Sequence, residues 1–167
     1  MKLYDLFQEI FKYRSYADNF DISVVSGIEF VSPKPELKKD LPEIIKSLLT
    51  LSEQAKVLLG RDSFYGVSKV LDNIISKADS ALRHYNNLIK IESEPFLKSL
   101  YVSFGKKEDE GPSGQDDYHV DDSAKAESES LFYVNCLRAF SLVKNLKEGF
   151  SKLTETGNLE RSSLSPE

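Results

Sequence analysis

The chain has 167 residues, of which 40% are hydrophobic and 29% charged, and a chain of this length buries roughly 70% of the surface that its unfolded form exposes. Its single cysteine excludes an intramolecular disulfide framework and a cluster of thiolate metal ligands, and the lack of a long apolar run excludes a membrane-spanning helix. The net charge of −5 arises within residues 106–130, where nine Asp and Glu accompany three Lys, so the remainder has no broad positive field to attract nucleic acid.

The first predicted element is an amphipathic helix over residues 3–17. Its apolar residues recur at the spacing that lines one helical face; they are Leu3, Leu6, Phe7, Ile10 and Phe11. Asp18 and Asn19 follow as a stop signal. Because charged residues such as Asp5 and Glu9 interrupt the apolar stretch, the N-terminus is not a secretory signal. Together with the unpaired cysteine, this predicts an intracellular, cytoplasmic location.

Residues 22–31 are predicted to form a short β-hairpin. β-Branched and aromatic residues dominate this segment and favour an extended chain. The Ser26-Gly27 pair at its centre suits a two-residue turn, because Gly27 can adopt a positive φ. Pro33 and Pro35 end the hairpin. An isolated hairpin is only marginally stable, so we expect this one to pack on the rest of the fold.

Two further helices are predicted over residues 41–59 and 63–93. Asp40 and Pro42 supply start signals for the first of these, since Asp is a good N-cap and the first turn does not use the N–H that Pro lacks. In the next helix an apolar stripe continues for about six turns. Pro95 is predicted to end it, because the residue before a proline avoids the helical region.

The following segments are predicted from composition and periodicity. Residues 97–104 fit either a further helical turn or a strand beside the hairpin, because their apolar residues mix both periods. Residues 105–126 have the acidic, apolar-poor composition of a disordered insertion. A fourth helix over residues 127–153 has apolar residues on two sides, as does a helix at the centre of a bundle. Residues 154–167 are predicted to be a flexible tail.

These elements predict a mainly all-α fold with about four amphipathic helices in a bundle. Residues 1–104 and 127–153 contribute to one domain, and the hairpin packs against it. The alternative is an α+β fold in which residues 97–104 add a third strand to the hairpin. The fourth helix is expected to have more apolar surface than one bundle covers. Another copy of the chain could bury the remainder, so a homo-oligomer is a further prediction.

No arrangement of side chains indicates catalysis, a metal or a cofactor. His84 and His119 lack the spacing of metal ligands, and Cys136 lies among apolar neighbours, which is typical of an inert buried thiol. Asp72 and Asp79 share one helical face with basic residues, as on any water-facing helix. The sequence therefore predicts a protein that is not an enzyme.

Aromatic residues are the one unusual resource, with ten Phe and eight Tyr. Tyr and Arg are enriched among the residues that dominate protein interfaces, so the region of the first helix predicts a contact surface formed by Tyr4, Phe11, Tyr13, Arg14 and Tyr16. The competing interpretation is a core with a half-buried rim, since tyrosine often buries its ring and keeps its hydroxyl wet. The leading hypothesis is a non-catalytic helical module that binds another protein, as an adaptor, regulator or inhibitor.

Two alternative functions remain open. In the first alternative, the chain is an acidic inhibitor that occupies the nucleic-acid-binding surface of another protein. The segment that would do so comprises Glu108, Asp109, Glu110, Asp116, Asp117, Asp121 and Asp122. A solvated linker is the default interpretation of such a composition. In the second alternative, the chain is an enzyme without a sequence signature, and its site is the polar stripe of Asp72, Asp79 and Arg83.

Overall fold

The structure, a computed structural model, describes residues 2–59, 65–103 and 113–155, with side chains at 2–59, 66–93 and 123–151. Its elements are α1 (Leu3–Phe11), a 3₁₀ helix (Lys12–Asn19), β1 (Phe20–Val25), β2 (Ile28–Pro33), α2 (Pro35–Lys38), α3 (Leu41–Leu59), α4 (Tyr65–Ser103) and α5 (Ser113–Glu155). In this part of the chain the fold is mostly helical with a small antiparallel hairpin. The predicted fold class is confirmed.

The long helices close a ring in which each packs against the next. Helix α1 contacts α3, α3 contacts α4, α4 contacts α5, and α5 returns to α1. In α1 the buried residues are those that the helical spacing selects, Leu3, Leu6, Phe7, Ile10 and Phe11. In α3 the buried apolar residues are Leu41, Ile45, Leu48, Ala55 and Leu59. Burial of these faces inside the ring provides the main free energy that favours folding.

The most extensive contact in the bundle joins α4 and α5. Buried residues of α4 follow the alternating spacing of a seam between two packed helices; they are Val67, Leu71, Ile74, Ala78, Ala81 and Leu88. Two contacts give an antiparallel register. The ring centroids of Tyr85 and Phe132 lie 5.0 Å apart, and Lys125 Nζ lies 3.3 Å from Glu92 Oε2. Among the described side chains of α4, Leu88 is the last buried residue.

Helix α4 does not end before Pro95, as the sequence predicts, but continues to Ser103. A proline inside a helix loses one backbone hydrogen bond and costs about 3 kcal/mol, but this local cost does not forbid a helix that a neighbour supports. The antiparallel register brings the extension of α4 alongside that of α5, which begins at Ser113. Residues 97–103 are thus helical, and the alternative three-stranded fold is wrong. Phe104 lies outside the described residues.

Helix α5 begins at Ser113 instead of after the acidic segment. The part of the predicted disordered insertion from 113 to 126 is therefore helical, and this prediction was wrong. After Gly114 this stretch contains no Gly or Pro, and acidic residues near a helix N-terminus interact favourably with the helix dipole. Residues 105–112 and 156–167, which belong to the predicted insertion and tail, lie outside the described residues.

The predicted helix over residues 3–17 is divided into α1 and the 3₁₀ helix. With three residues per turn, a 3₁₀ helix brings positions three apart onto one side. Tyr13 and Tyr16 have this spacing, and their ring centroids lie 5.8 Å apart. Tyr16 also contacts Phe140 of α5, with centroids 5.3 Å apart. The tighter winding thus directs both tyrosines toward the bundle.

The hairpin has the predicted turn and is longer than predicted. Ser26 and Gly27 connect the strands with φ angles of 53° and 79°, and a type I′ turn requires positive φ at both positions. The strands pair from Phe20 opposite Pro33 to the residues that flank the turn. Pro35 then begins α2, in the first-turn position that tolerates proline.

Replacement of Ser52 by Ala is expected to raise the free energy of unfolding by about 1–2 kcal/mol. Ser52 is fully buried in α3, and its hydroxyl has no hydrogen-bond partner among the described residues, so folding removes it from water without compensation. Urea titration measures the gain. The control is Ser76→Ala at an exposed position of α4, which reports helix propensity alone, about 0.5 kcal/mol. Equal gains in the two variants would show that the buried hydroxyl carries no penalty.

Candidate functional site

Phe11, one of the residues predicted to contact a partner, belongs to the core. It is 2% exposed, and its ring centroid lies 6.0 Å from that of Phe7 and 5.3 Å from that of Phe150. These three rings join α1 to the C-terminal part of α5. Phe11 is therefore out of reach of a partner, and we correct its assignment to the contact surface.

The other predicted contact residues surround this core. Tyr4, Tyr13 and Tyr16 are partly buried and pack against it, as the competing interpretation of a half-buried rim describes. Arg14 is exposed and donates from Nη1 to the carbonyl oxygen of Phe11 at 2.7 Å. The three tyrosines thus pack against the core with part of each ring buried, and they do not project from the surface.

An open groove between the 3₁₀ helix and α5 is lined by Lys12, Arg14, Ser15, Asp18, Lys144, Lys147 and Glu148. Its cations have partners within the chain. Lys144 Nζ lies 3.0 Å from Asp18 Oδ1, and Lys147 Nζ lies 5.0 Å from the centroid of the Phe11 ring. Exposed ion pairs of this kind contribute little to stability. The groove is thus lined by exposed charges of both signs, and its cations contact groups of the same chain.

The polar stripe on α4 consists of surface ion pairs. Lys56 Nζ donates to Asp72 Oδ1 at 2.6 Å, and Arg83 Nε lies 3.4 Å from Asp79 Oδ2. Both aspartates are 56% exposed, whereas a carboxylate that acts as a general acid or base usually lies in a cleft. Within the described residues, no group of His, Cys, Asp and Glu is placed to hold a metal ion. The stripe therefore offers no support for the enzyme alternative.

The predicted acidic segment divides between two parts of the chain. Glu108, Asp109 and Glu110 lie outside the described residues. The backbone of α5 carries the positions Asp116, Asp117, Asp121 and Asp122. On a helix, positions four apart share a face, so Asp117 and Asp121 share one.

Tyr133 and Glu129 form a polar contact at the edge of the α4–α5 seam. Tyr133 Oη donates to Glu129 Oε2 at 3.5 Å. Burial, followed by the negative charge of Glu129, raises the pKa of Tyr133 to about 12. The phenol therefore stays protonated at neutral pH and is a hydrogen-bond donor, not a base.

The thiol of Cys136 is expected to resist the disulfide reagent DTNB in the folded protein and to react fully on unfolding. Cys136 is fully buried, and burial raises its pKa well above the ordinary value of a thiol, so the reactive thiolate is scarce. The measurement is the rate of thionitrobenzoate release with and without denaturant. The matched control is a Val57→Cys variant, whose added thiol lies on the exposed face of α3. Equally fast labelling of both thiols would contradict the expectation.

The hairpin presents two faces with different surroundings. Directly opposed residues share a face, and successive residues alternate between faces. The inner face holds Phe20, Ile22 and Val24 of β1 with Pro33, Val31 and Glu29 of β2. The outer face holds Asp21, Ser23 and Val25 with Ser32, Phe30 and Ile28. Only the base of the inner face is buried: Phe20 lies 6.1 Å from Phe140 between ring centroids, and Pro33 is buried beside it.

Most of the hairpin's large apolar side chains remain exposed. Between 48 and 65% of the surface of each is accessible in Ile22, Val24, Val25, Ile28 and Phe30. On the outer face, Val25 lies opposite Ile28, and Phe30 follows on β2. We refer to Val25, Ile28 and Phe30 as the outer-face patch. A contiguous exposed apolar patch marks an interaction site more often than single exposed residues do.

This patch was not predicted from the sequence, because the whole hairpin was expected to pack on the helices. A signal was present in the alternation of residues. Ile22 and Val24 fall on one face, whereas Val25, Ile28 and Phe30 fall on the other. A two-stranded hairpin can lay only one face on a bundle, so one apolar set had to face outward.

Comparison with known protein families, curated proteins and solved structures finds no match to this chain. Among the helices of the described residues, none combines the length and the apolar character needed to cross a lipid bilayer.

Proposed function

We propose that the protein is a non-catalytic module that binds another protein, as an adaptor, regulator or inhibitor, through the outer-face patch. The exposure of Val25, Ile28 and Phe30 on a hairpin that is anchored at its base carries this proposal. Fully burying one such side chain is favourable by about 1.5–3 kcal/mol. The patch therefore supplies the apolar centre that an interface needs.

The surroundings of the patch support a specific contact over a nonspecific one. Asp21, Ser23 and Ser32 share the outer face with the patch, and interfaces combine an apolar centre with such a polar rim. At the base of the hairpin, Lys34 N donates to the carbonyl oxygen of Asn19 at 2.8 Å and closes the ladder. A surface held in one conformation loses less entropy on binding.

The proposal is tested by affinity capture from the native source with matched variants. We expect the wild-type chain to retain a reproducible partner protein and the Val25→Ser/Phe30→Ser variant to lose it. The control is Val57→Ser/Leu58→Ser on α3, which removes exposed apolar side chains outside the hairpin and should retain the partner. Exposed substitutions change stability by only about 0.5 kcal/mol, so thermal unfolding should show all three proteins folded.

Two results would contradict the proposal. One is that the wild-type chain captures no partner reproducibly at low salt. The other is that the hairpin variant and the α3 variant retain the same partner equally well, because the outer-face patch would then contribute nothing to binding.

A further inference from the structure

We propose that a second copy of this chain adds its β1 strand antiparallel to β1, on a two-fold axis through Ile22, to form a four-stranded sheet. This interaction uses the edge of the hairpin and not the outer-face patch. It is independent of the proposed partner protein and goes beyond it.

The free edge of β1 follows from the hydrogen-bond pattern of the hairpin. A two-residue turn makes Val25 and Ile28 a hydrogen-bonded pair. The bond from Lys34 N to Asn19 O shows that hydrogen-bonded pairs recur at every second position as far as the base of the hairpin. Such pairs alternate with pairs whose backbone groups point away from the neighbouring strand. The outward-pointing residues of β1 are Phe20, Ile22 and Val24.

The two edges of the hairpin differ in their protection. The β2 edge carries Glu29 and Pro33 at its outward positions, and charge and proline are the usual means of blocking an edge strand. Strand β2 also packs against α5 and α2. The β1 edge has neither a charge nor a proline at its outward positions, and residues 21–25 are all exposed. The open edge is therefore β1.

The sequence of β1 is complementary to itself about Ile22. In an antiparallel pair centred there, Ile22 meets Ile22 of the second copy, and Val24 meets its Phe20. Asp21 meets its Ser23, so polar residues face polar ones, and no like charges are directly opposed. By contrast, β2 paired with itself about its central outward residue, Val31, places the charge of Glu29 opposite Pro33, which has no N–H to donate. This match of side chains along one strand favours a second copy as the occupant.

The pairing also places each hairpin tip beside the base of the other hairpin. The bundle is attached at the base, where Phe20 and Pro33 are buried, and antiparallel strands run in opposite directions. Ile22 and Val24, which belong to the inner face, would thus lose exposure, whereas the outer-face patch stays available. Pairing of one strand edge buries less than a standard interface, so we expect association that depends on concentration.

Cysteine pairing tests the strand register. In a hydrogen-bonded antiparallel pair the Cα atoms are about 5.5 Å apart, within the range that a disulfide bridges. The two Ile22→Cys residues would have this separation, whereas two Val24→Cys residues would lie about 13 Å apart along the strands. Under mild oxidation we expect Ile22→Cys to form a disulfide dimer at least about ten-fold faster than Val24→Cys. Equal rates, measured by non-reducing electrophoresis, would overturn the proposed pairing.

Sedimentation velocity tests the non-covalent association. Wild type should shift toward a dimer as its concentration rises. Ile22→Lys should remain monomeric, because it places two ammonium groups opposite each other. Phe30→Lys changes the outer-face patch and should still dimerise while losing the proposed partner protein. A wild type that stays monomeric at high concentration, or an Ile22→Lys variant that dimerises, would overturn the proposed β1 pairing without bearing on partner binding.

Discussion

Phe150→Ala is expected to lower the free energy of unfolding by about 3–5 kcal/mol. Phe150 is 5% exposed, and its ring lies between α5 and α1. Its centroid is 5.3 Å from those of Phe7 and Phe11, and 5.9 Å from that of Tyr4. Truncation leaves a cavity among these rings and weakens the contact that closes the helical ring. Chemical denaturation monitored by circular dichroism measures the loss.

Phe30→Ala is the matched control, because it removes the same side chain from an exposed site on the hairpin. We expect it to cost less than about 1 kcal/mol, as surface substitutions usually do. Similar losses in both variants would mean that the aromatic cluster around Phe150 is not a packed core. A small loss in Phe150→Ala alone would mean the same.

The elements that sequence predicted best are those whose local signals agree with their packing. Helix α3 begins at Leu41 and ends at Leu59, as predicted, because a start signal at Asp40 and Pro42 coincides with a regular apolar stripe. The hairpin turn at Ser26-Gly27 was predicted for the same reason. Few residues satisfy a positive φ, so the local sequence is decisive there.

The mispredicted elements are the two long helices, which extend through a local stop signal and through an acidic stretch. Pro95 is a local stop signal, yet α4 passes through it beside α5. The acidic composition of residues 113–126 predicts disorder, yet this stretch extends α5. In both cases the helix belongs to an antiparallel pair of long helices, and a single sequence does not show which helices pair.

Phe11 was mispredicted as a contact residue because exposure depends on the whole fold. The aromatic residues around α1 have the composition of an interface, but Phe11 is buried because α5 supplies Phe150 opposite it. The apolar residues of the hairpin have the composition of a core. Val25 and Phe30 are exposed because none of the described elements covers the outer face. The sequence shows which side chains are apolar, but only the arrangement of the elements shows which of them are buried.

Ala78→Leu is expected to lower the free energy of unfolding by about 1–3 kcal/mol through overpacking. Ala78 is fully buried on α4, as is Ala139 on α5. Ala78 lies seven residues before Tyr85, and Ala139 lies seven residues after Phe132. Since Tyr85 contacts Phe132 in an antiparallel pair of helices, the two alanines lie opposite each other two turns away. Small residues on both sides allow the helix axes to approach closely, so the added atoms of leucine find no space. Thermal and urea unfolding of the purified variant measure the loss.

Ala126→Leu is the matched control, since it makes the same change at an exposed position of α5. Leu and Ala differ in helix propensity by only about 0.2 kcal/mol, so the control should unfold like wild type. If Ala78→Leu also unfolds like wild type, α4 and α5 are farther apart at this level than the structure places them. A loss confined to Ala78→Leu instead supports a seam in which the smallest side chains set the distance between the two longest helices.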